Sequence, residues 1–153
     1  MESIRVKSKN TYAIEVNDQG ECIEFDLTDI ELPVRLEAAK KAVHDAGSWL
    51  KGQLAVIAKK QDTAKKGDLL SAKERANLEA YRECFVRMRK AIDLFAGEGA
   101  SRKIFGDHNY LEMFNDFMEQ MEPHFEKMMQ RGMDIRKNIE AKYGDTAEEG
   151  SVL

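Results

Sequence analysis

The apolar residues of this chain change their spacing at Pro33, and this change constrains the fold more than any other feature. Before Pro33 they alternate with polar residues, which is the pattern of a half-buried β-strand. After Pro33 they recur three or four residues apart, as on one face of an α-helix. The sequence therefore predicts a mainly α protein of the α+β class, in which a small β element precedes a helical bundle.

The β element lies within residues 1–30. Two alternating runs flank the segment Asn17-Asp18-Gln19-Gly20, whose Asn and Asp favour a turn and whose Gly can adopt positive φ. This arrangement predicts a β-hairpin. Ile4 and Val6 alternate in the same way, so the element is either a hairpin or a three-stranded sheet. The apolar residues of the two runs are Tyr12, Ile14 and Val16, followed by Ile23, Phe25 and Leu27.

The rest of the chain predicts a bundle of three to five helices. Pro33 suits a first helical turn, and Ser71 has Glu74 three residues on, which is the spacing of a capping box. The first two long helices are expected to pair as an antiparallel hairpin across the loop near Gly67. Their apolar stripes are Leu36, Val43, Leu50 and Ile57 in the first helix, and Leu78, Tyr81, Phe85, Met88, Ile92 and Phe95 in the second.

These elements predict one domain with three parts. Residues 1–30 form the β element and residues 31–143 form the helical bundle, in which Pro123 restarts or kinks the last helix. Residues 144–153 have the sequence GDTAEEGSVL, which lacks periodicity and is typical of a flexible tail.

Charge and composition exclude several classes of protein. The 24 basic and 28 acidic residues give a net charge of −4 and are interspersed, which argues against a general nucleic-acid binder. No apolar run reaches the roughly 20 residues of a membrane span. The N-terminus lacks the apolar core of a signal peptide, so a cytoplasmic location is expected. Cys22 and Cys84 have unlike surroundings in the sequence and are expected to be reduced thiols.

The stretch GEGASRKIFG, residues 97–106, could either bind a phosphate or form an elbow between two helices. A phosphate-binding loop needs Gly-Lys-Ser/Thr at its end and a preceding strand, and this stretch has neither. The elbow is therefore the better interpretation. His108, Glu112 and Asp116 are spaced by four, but no further pair with metal-ligand spacing accompanies them. We expect no metal, no cofactor and no enzymatic activity.

Methionine is concentrated after the elbow, and two explanations remain open. Its flexible, polarizable side chain fills irregular gaps in a core, and it also serves surfaces that adapt to several partners. Four Phe residues nearby make the segment more apolar than one amphipathic face requires, which favours a surface that a partner covers. The six residues are Met113, Met118, Met121, Met128, Met129 and Met133.

Two stretches of the chain resemble the tail assembly chaperones of long-tailed (siphovirus-type) phages and prophages of Gram-positive bacteria. The first is YAIEVNDQGECIEFDLTDIELPVRL, which is similar to the opening hairpin and acidic link of that family. The second is KIFGDHNYLEMFNDFMEQMEPHFEKM, which follows a Gly-x-Gly and looks like the family's C-terminal half.

The resemblance implies a protein without catalytic residues that acts in the host cytoplasm and is not retained in the virion. It would bind the tape measure protein, keep that protein soluble, and help to recruit tail tube subunits. An alternative is an oligomeric helical structural or adaptor module without chaperone activity, because the heptad-like spacings also suit a homo-oligomer. The residues that would bind a partner are Ile104, Phe105, Tyr110, Met113, Phe114, Phe117, Met121 and Phe125.

Overall fold

The hairpin forms where the alternating pattern predicts it. The computed structural model describes residues 1–6 and 10–148, and it describes side chains as far as residue 144. Strands β1 (Thr11–Glu15) and β2 (Cys22–Asp26) pair antiparallel, with Tyr12 opposite Phe25 and Ile14 opposite Ile23. The Asn17 side-chain oxygen accepts the N–H groups of Gln19 and Glu21, and Gly20 has a φ of +77°. The predicted turn chemistry therefore closes this hairpin.

The three-stranded alternative is wrong for the described part of the chain. Residues 1–6 contain no strand, and the Ile4 and Val6 side chains are 93% and 94% exposed. Within residues 1–6 and 10–31, the hairpin is the only β element before the helices. The helices are α1 (Leu32–Ala58), α2 (Ala72–Ala96), α3 (Ala100–Phe105) and α4 (Met113–Glu148). The structure is 64% helical, which confirms the predicted fold class. Within the described residues, none of these helices is long and apolar enough to cross a membrane.

Helices α1 and α2 pack along each other in opposite directions. Near the connecting loop, the Lys73 ammonium donates to the Ala58 carbonyl at 2.8 Å. Further along, the Cys84 thiol donates to the Ala46 carbonyl at 3.5 Å. The N-terminus of α2 has the predicted capping box, in which Ser71 accepts from the Glu74 N–H and Glu74 accepts from the Ser71 N–H. The antiparallel helical hairpin is thus confirmed.

Two details of the helices differ from the sequence-based prediction. Leu78 is 49% exposed, although the periodicity places it on the buried stripe of α2. It lies near the loop end of the helical hairpin, where fewer elements are available to cover it. Helix α4 includes Pro123 without interruption and continues through residue 148, five residues beyond the predicted boundary. The remainder of the expected tail, residues 149–153, lies outside the described residues.

The core lies where the hairpin meets α1, α2 and α4. Phe25 of β2 stacks on Phe95 of α2 with 5.9 Å between ring centroids, and Phe95 also contacts Phe125 of α4 at 5.9 Å. Burial of such large apolar side chains supplies most of the stabilisation of a small domain. The buried side chains of this cluster are Ile23, Phe25, Leu27, Leu32, Leu36, Ala39, Ile92, Phe95, Ala100, Phe114, Phe117, Met121, Phe125 and Met128.

Candidate partner-binding site

Residues 97–106 form an elbow whose groups are already engaged within the chain. Gly97 ends α2 with a φ of +105°, a conformation that glycine adopts without steric cost. The Asp93 carboxylate accepts the Ser101 N–H at 2.7 Å, at the start of α3. Arg102 pairs with Asp107 at 2.8 Å. These bonds engage the Arg102 charge and one of the N–H groups that a phosphate would need, in agreement with the elbow interpretation.

Arg89 of α2 holds the loop that follows α3. Its guanidinium donates to the carbonyl oxygens of Gly106 at 3.0 Å and His108 at 2.9 Å, and to the Asn109 side-chain oxygen at 2.9 Å. It also lies 5.5 Å from the centre of the Phe105 ring. Burial lowers the pKa of Arg89 from its ordinary value, while nearby acidic side chains raise it. The loop is therefore fixed to α2, which determines where α4 begins.

Most of the eight residues that the resemblance assigns to partner binding lie in or beside the core. Phe114, Phe117, Met121 and Phe125 are each less than 10% exposed. Ile104, Phe105 and Met113 are partly buried and pack against the same cluster. The Phe105 ring centroid lies 4.7 Å from that of Phe114 and 5.5 Å from that of Phe117. Tyr110 differs from the others because it is 62% exposed.

The methionines divide between the two explanations that the sequence left open. Met121 and Met128 are buried, so they fill the core. Met129 and Met133 are 37% and 39% exposed and lie on the outside of α4. The exposed methionines of this segment therefore lie in the middle of α4, later in the chain than the eight residues that the resemblance assigns to partner binding.

Met129 lines a groove between α4 and the first turns of α1. The groove has a volume of about 360 Å³, and its walls include Val34 and Leu36 on α1 and Phe125 on α4. Val34 is 61% exposed. The sequence contains a signal for this groove. Val34 is apolar, but it lies two residues before Leu36 and therefore off the apolar stripe of α1 that begins there.

A second groove follows along the same face of α4. It has a volume of about 240 Å³ and lies between α4 and the link from β2 to α1, where Ile30 is 77% exposed and Ile139 is 44% exposed. The two grooves are consecutive along α4, because residues four and seven positions apart lie on one face of a helix. Phe125 and Met129 line the first groove, and Arg136 lines the second. We call them together the α1–α4 groove, defined by Leu27, Ile30, Pro33, Val34, Leu36, Phe125, Met129, Ile135 and Ile139.

Charged side chains line the edges of the α1–α4 groove. Lys40 pairs with Glu122 at 3.1 Å, and its ammonium lies 5.1 Å from the centre of the Phe125 ring. Asp29 forms a salt bridge with Arg35. The Arg35 guanidinium donates a hydrogen bond to the Asp29 carboxylate, and this bond is the main cause that lowers the pKa of Asp29. The second cause is the hydrogen bond from the Glu31 N–H. An apolar floor with charged edges suits an amphipathic helix better than a small polar ligand.

The described residues contain no metal-binding constellation. They include no group of three or more His, Cys, Asp or Glu side chains placed to bind a metal ion, so His108, Glu112 and Asp116 do not form one. His124 is held by Tyr12, with 2.6 Å between the phenol oxygen and Nδ1. Cys22 and Cys84 are both free thiols, and burial raises the pKa of Cys84.

Comparison with known proteins does not assign this chain to a family. No family model matches it, and no curated protein and no solved structure matches it. A function must therefore be inferred from the residues of the chain and their geometry.

Proposed function

We propose that this chain is a tail assembly chaperone of the long-tailed phage type, which binds the tape measure protein through the α1–α4 groove. The observation that carries the proposal is the line of exposed apolar side chains along that groove. Ile30 and Val34 on one wall and Met129 and Ile139 on α4 remain uncovered in the single chain. Exposed apolar patches of this kind mark interaction sites on proteins.

The chemistry of the groove suits the proposed client. The apolar face of an amphipathic helix binds in such a groove through residues three and four apart. The flexible Met129 side chain can repack against different side chains, which is what a long client with many related helices requires. The Lys40 and Arg136 side chains at the edges can pair with acidic residues of the client helix.

The eight residues that the resemblance assigns to partner binding have different roles in this proposal. Phe125 lines the groove, so it contacts the client directly. Phe114, Phe117 and Met121 lie in the core and hold α4 in position. The proposed contact surface thus begins at Phe125, where the residues that the resemblance indicates end, and extends about four turns further along α4 to Ile139.

The resemblance supports the remaining parts of the proposal. The protein acts without catalysis in the cytoplasm of the bacterial host, delivers the tape measure protein to tail tube subunits, and leaves before the virion is complete. It needs no metal or cofactor for this role, because a groove that holds a helix works by burial and charge pairing alone.

Co-expression with the tape measure protein from the same genome tests the proposal. The double variant V34D/M129D introduces two carboxylates into the groove at exposed positions, so the fold should persist. We expect the tape measure protein to become insoluble and to be lost from the pull-down, with unchanged circular dichroism of the variant. V86D is the matched control, because Val86 is 50% exposed on α2 and lies outside the groove. Equal client recovery with V34D/M129D and V86D would contradict the groove assignment.

A second candidate is an oligomeric structural or adaptor module without chaperone activity. It is favoured by exposed apolar residues on the α1–α2 hairpin, where Val56 is 54% exposed and Leu78 is 49% exposed. In this case wild type would leave the tape measure protein insoluble. The chain would also form a defined assembly in light scattering, which L78D would dissociate.

A further inference from the structure

Strand β1 has a free edge. The Val16 N–H donates to the Glu21 carbonyl and the Leu27 N–H donates to the Asn10 carbonyl, each at 2.9 Å. With the register of the hairpin, these bonds direct the peptide groups of the even-numbered residues toward β2. The N–H and C=O groups of Thr11, Ala13 and Glu15 therefore point away from β2. Among the described residues they have no backbone partner, so a further strand can pair with this edge.

An open cleft lies beside this edge. It has a volume of about 370 Å³ and is bounded by Ile14 of β1, by Phe105 of α3 and by Phe117 and Met121 of α4. Its polar lining residues are Glu15, Asp116, Gln120 and His124. No residue of β2 lines it, so the cleft lies on the side of β1 away from β2. A strand added to β1 would direct alternate side chains into this cleft, because side chains of neighbouring strands share faces.

The N-terminal segment of the chain has the pattern that this edge requires. In Ser3-Ile4-Arg5-Val6 two β-branched apolar residues alternate with two polar ones, which is a strand pattern. Ile4 and Val6 are almost fully exposed in the single chain. Within the part of the chain that the structure describes, a strand-like sequence and a strand edge are thus both without a pairing partner.

We propose that two copies of this chain exchange these segments, so that Ser3–Val6 of each copy pairs antiparallel with β1 of the other. A second copy is the occupant because the segment is not paired with β1 of its own copy, where residues 1–6 form no strand. Reciprocal exchange satisfies both edges in one symmetric dimer, as two-fold contacts do. This inference does not depend on the proposed chaperone function.

The inward-facing side chains fix the register. With Ile4 opposite Ile14 and Val6 opposite Tyr12, both apolar side chains of the segment lie on the inner face of the sheet, and Ile4 lies next to the cleft. These positions are non-hydrogen-bonded pairs, in which side chains approach most closely. Displacement by one residue would instead turn Ile4 and Val6 to the outer, solvent-facing side, because a one-residue shift inverts the two faces of a strand.

Charge on the outer face favours the same register. Arg5 then lies opposite Ala13, which is itself opposite Glu24 of β2. Glu15 occupies the next outward position on β1. Neither Glu15 nor Glu24 forms an ion pair with another described residue, so both can attract the guanidinium.

Disulfide trapping between different chains tests the exchange. All variants carry C22S, because the Cys22 side chain is partly exposed and could form unwanted disulfides. Cys84 is kept, because its side chain is fully buried. One chain then carries R5C and a second, differently tagged chain carries A13C. Hydrogen-bonded antiparallel pairs have about 5.5 Å between Cα atoms, which is within the range that a disulfide spans. The matched control mixes I4C with A13C, since residue 4 would face the opposite side of the sheet.

We expect a heterodimeric disulfide between the R5C and A13C chains and at least tenfold less in the control mixture. Wild type should have twice the 17.5 kDa monomer mass in light scattering, and I4D/V6D should be monomeric with unchanged circular dichroism. Two results would overturn the proposal. One is that a single chain carrying both R5C and A13C forms the disulfide only within that chain. The other is that the R5C with A13C mixture and the I4C with A13C mixture give equal amounts of disulfide-linked dimer.

Discussion

At the scale of single residues, Arg89 attaches the loop between α3 and α4 to α2 through several hydrogen bonds. It donates hydrogen bonds to three loop residues and contacts Phe105. In R89M an apolar chain replaces the guanidinium and leaves loop carbonyls without this donor. We expect the free energy of unfolding to fall by about 2 kcal/mol, since hydrogen bonds to charged groups each contribute roughly 1.5–3 kcal/mol and water replaces part of the loss.

The control for R89M is R82M on the same helix. Arg82 is exposed and forms no ion pair among the described residues, so its replacement should change the free energy of unfolding by less than about 0.5 kcal/mol. Urea denaturation monitored by circular dichroism compares the two variants. Equal stability of R89M and R82M would show that the loop is held by its apolar contacts and not by Arg89.

At the scale of elements, Asp29 stabilises the start of α1 although the N-cap residue is Glu31. The Glu31 side chain makes no capping bond, whereas Asp29 accepts the Glu31 N–H at 2.9 Å and pairs with Arg35 in the first turn. The pKa of Asp29 is thereby held below its ordinary value of 3.8. A lowered folded-state pKa contributes stability above pH 3.8, and this contribution is lost as the pH falls through the folded-state value.

We therefore expect D29N to reduce the free energy of unfolding at neutral pH and to have a progressively smaller effect below pH 3.8. Urea titrations of wild type and D29N across this range measure the difference. D18N is the control, because Asp18 is exposed and forms no ion pair within the described chain. A difference between wild type and D29N that stays constant from neutral to acid pH would exclude the carboxylate as its cause.

The elements show which features a single sequence can specify. The hairpin and α2 were predicted because their signals are local, namely the turn at Asn17 to Gly20 and the capping box at Ser71. Burial of Phe114 was not predictable, because the covered face of α4 depends on α2, α3 and the hairpin together. The groove at Val34 and Met129 was missed for the same reason, since it is the space that those elements leave uncovered.

At the scale of the whole molecule, α4 extends beyond the core. Gly132 is buried close to the Leu27 carbonyl, where an added Cβ would lie 3.5 Å from the oxygen, and Ile135 is the last residue of α4 that packs against the core cluster. From residue 137 to residue 144 every side chain is exposed. The end of α4 can therefore contribute little to the stability of the fold, whatever it contributes to binding.

Truncation after Lys137 separates these two contributions. It removes eleven helical residues, 138–148 of α4, so helical circular dichroism should fall while the free energy of unfolding changes by less than about 1 kcal/mol. Truncation after Gln130 also removes Gly132 and Ile135, and it should destabilise the protein much more. Under the proposed function the first truncation also loses Ile139 and Tyr143, which are 44% and 45% exposed, and should weaken recovery of the tape measure protein. Equal destabilisation by the two truncations would instead make the end of α4 part of the folded core.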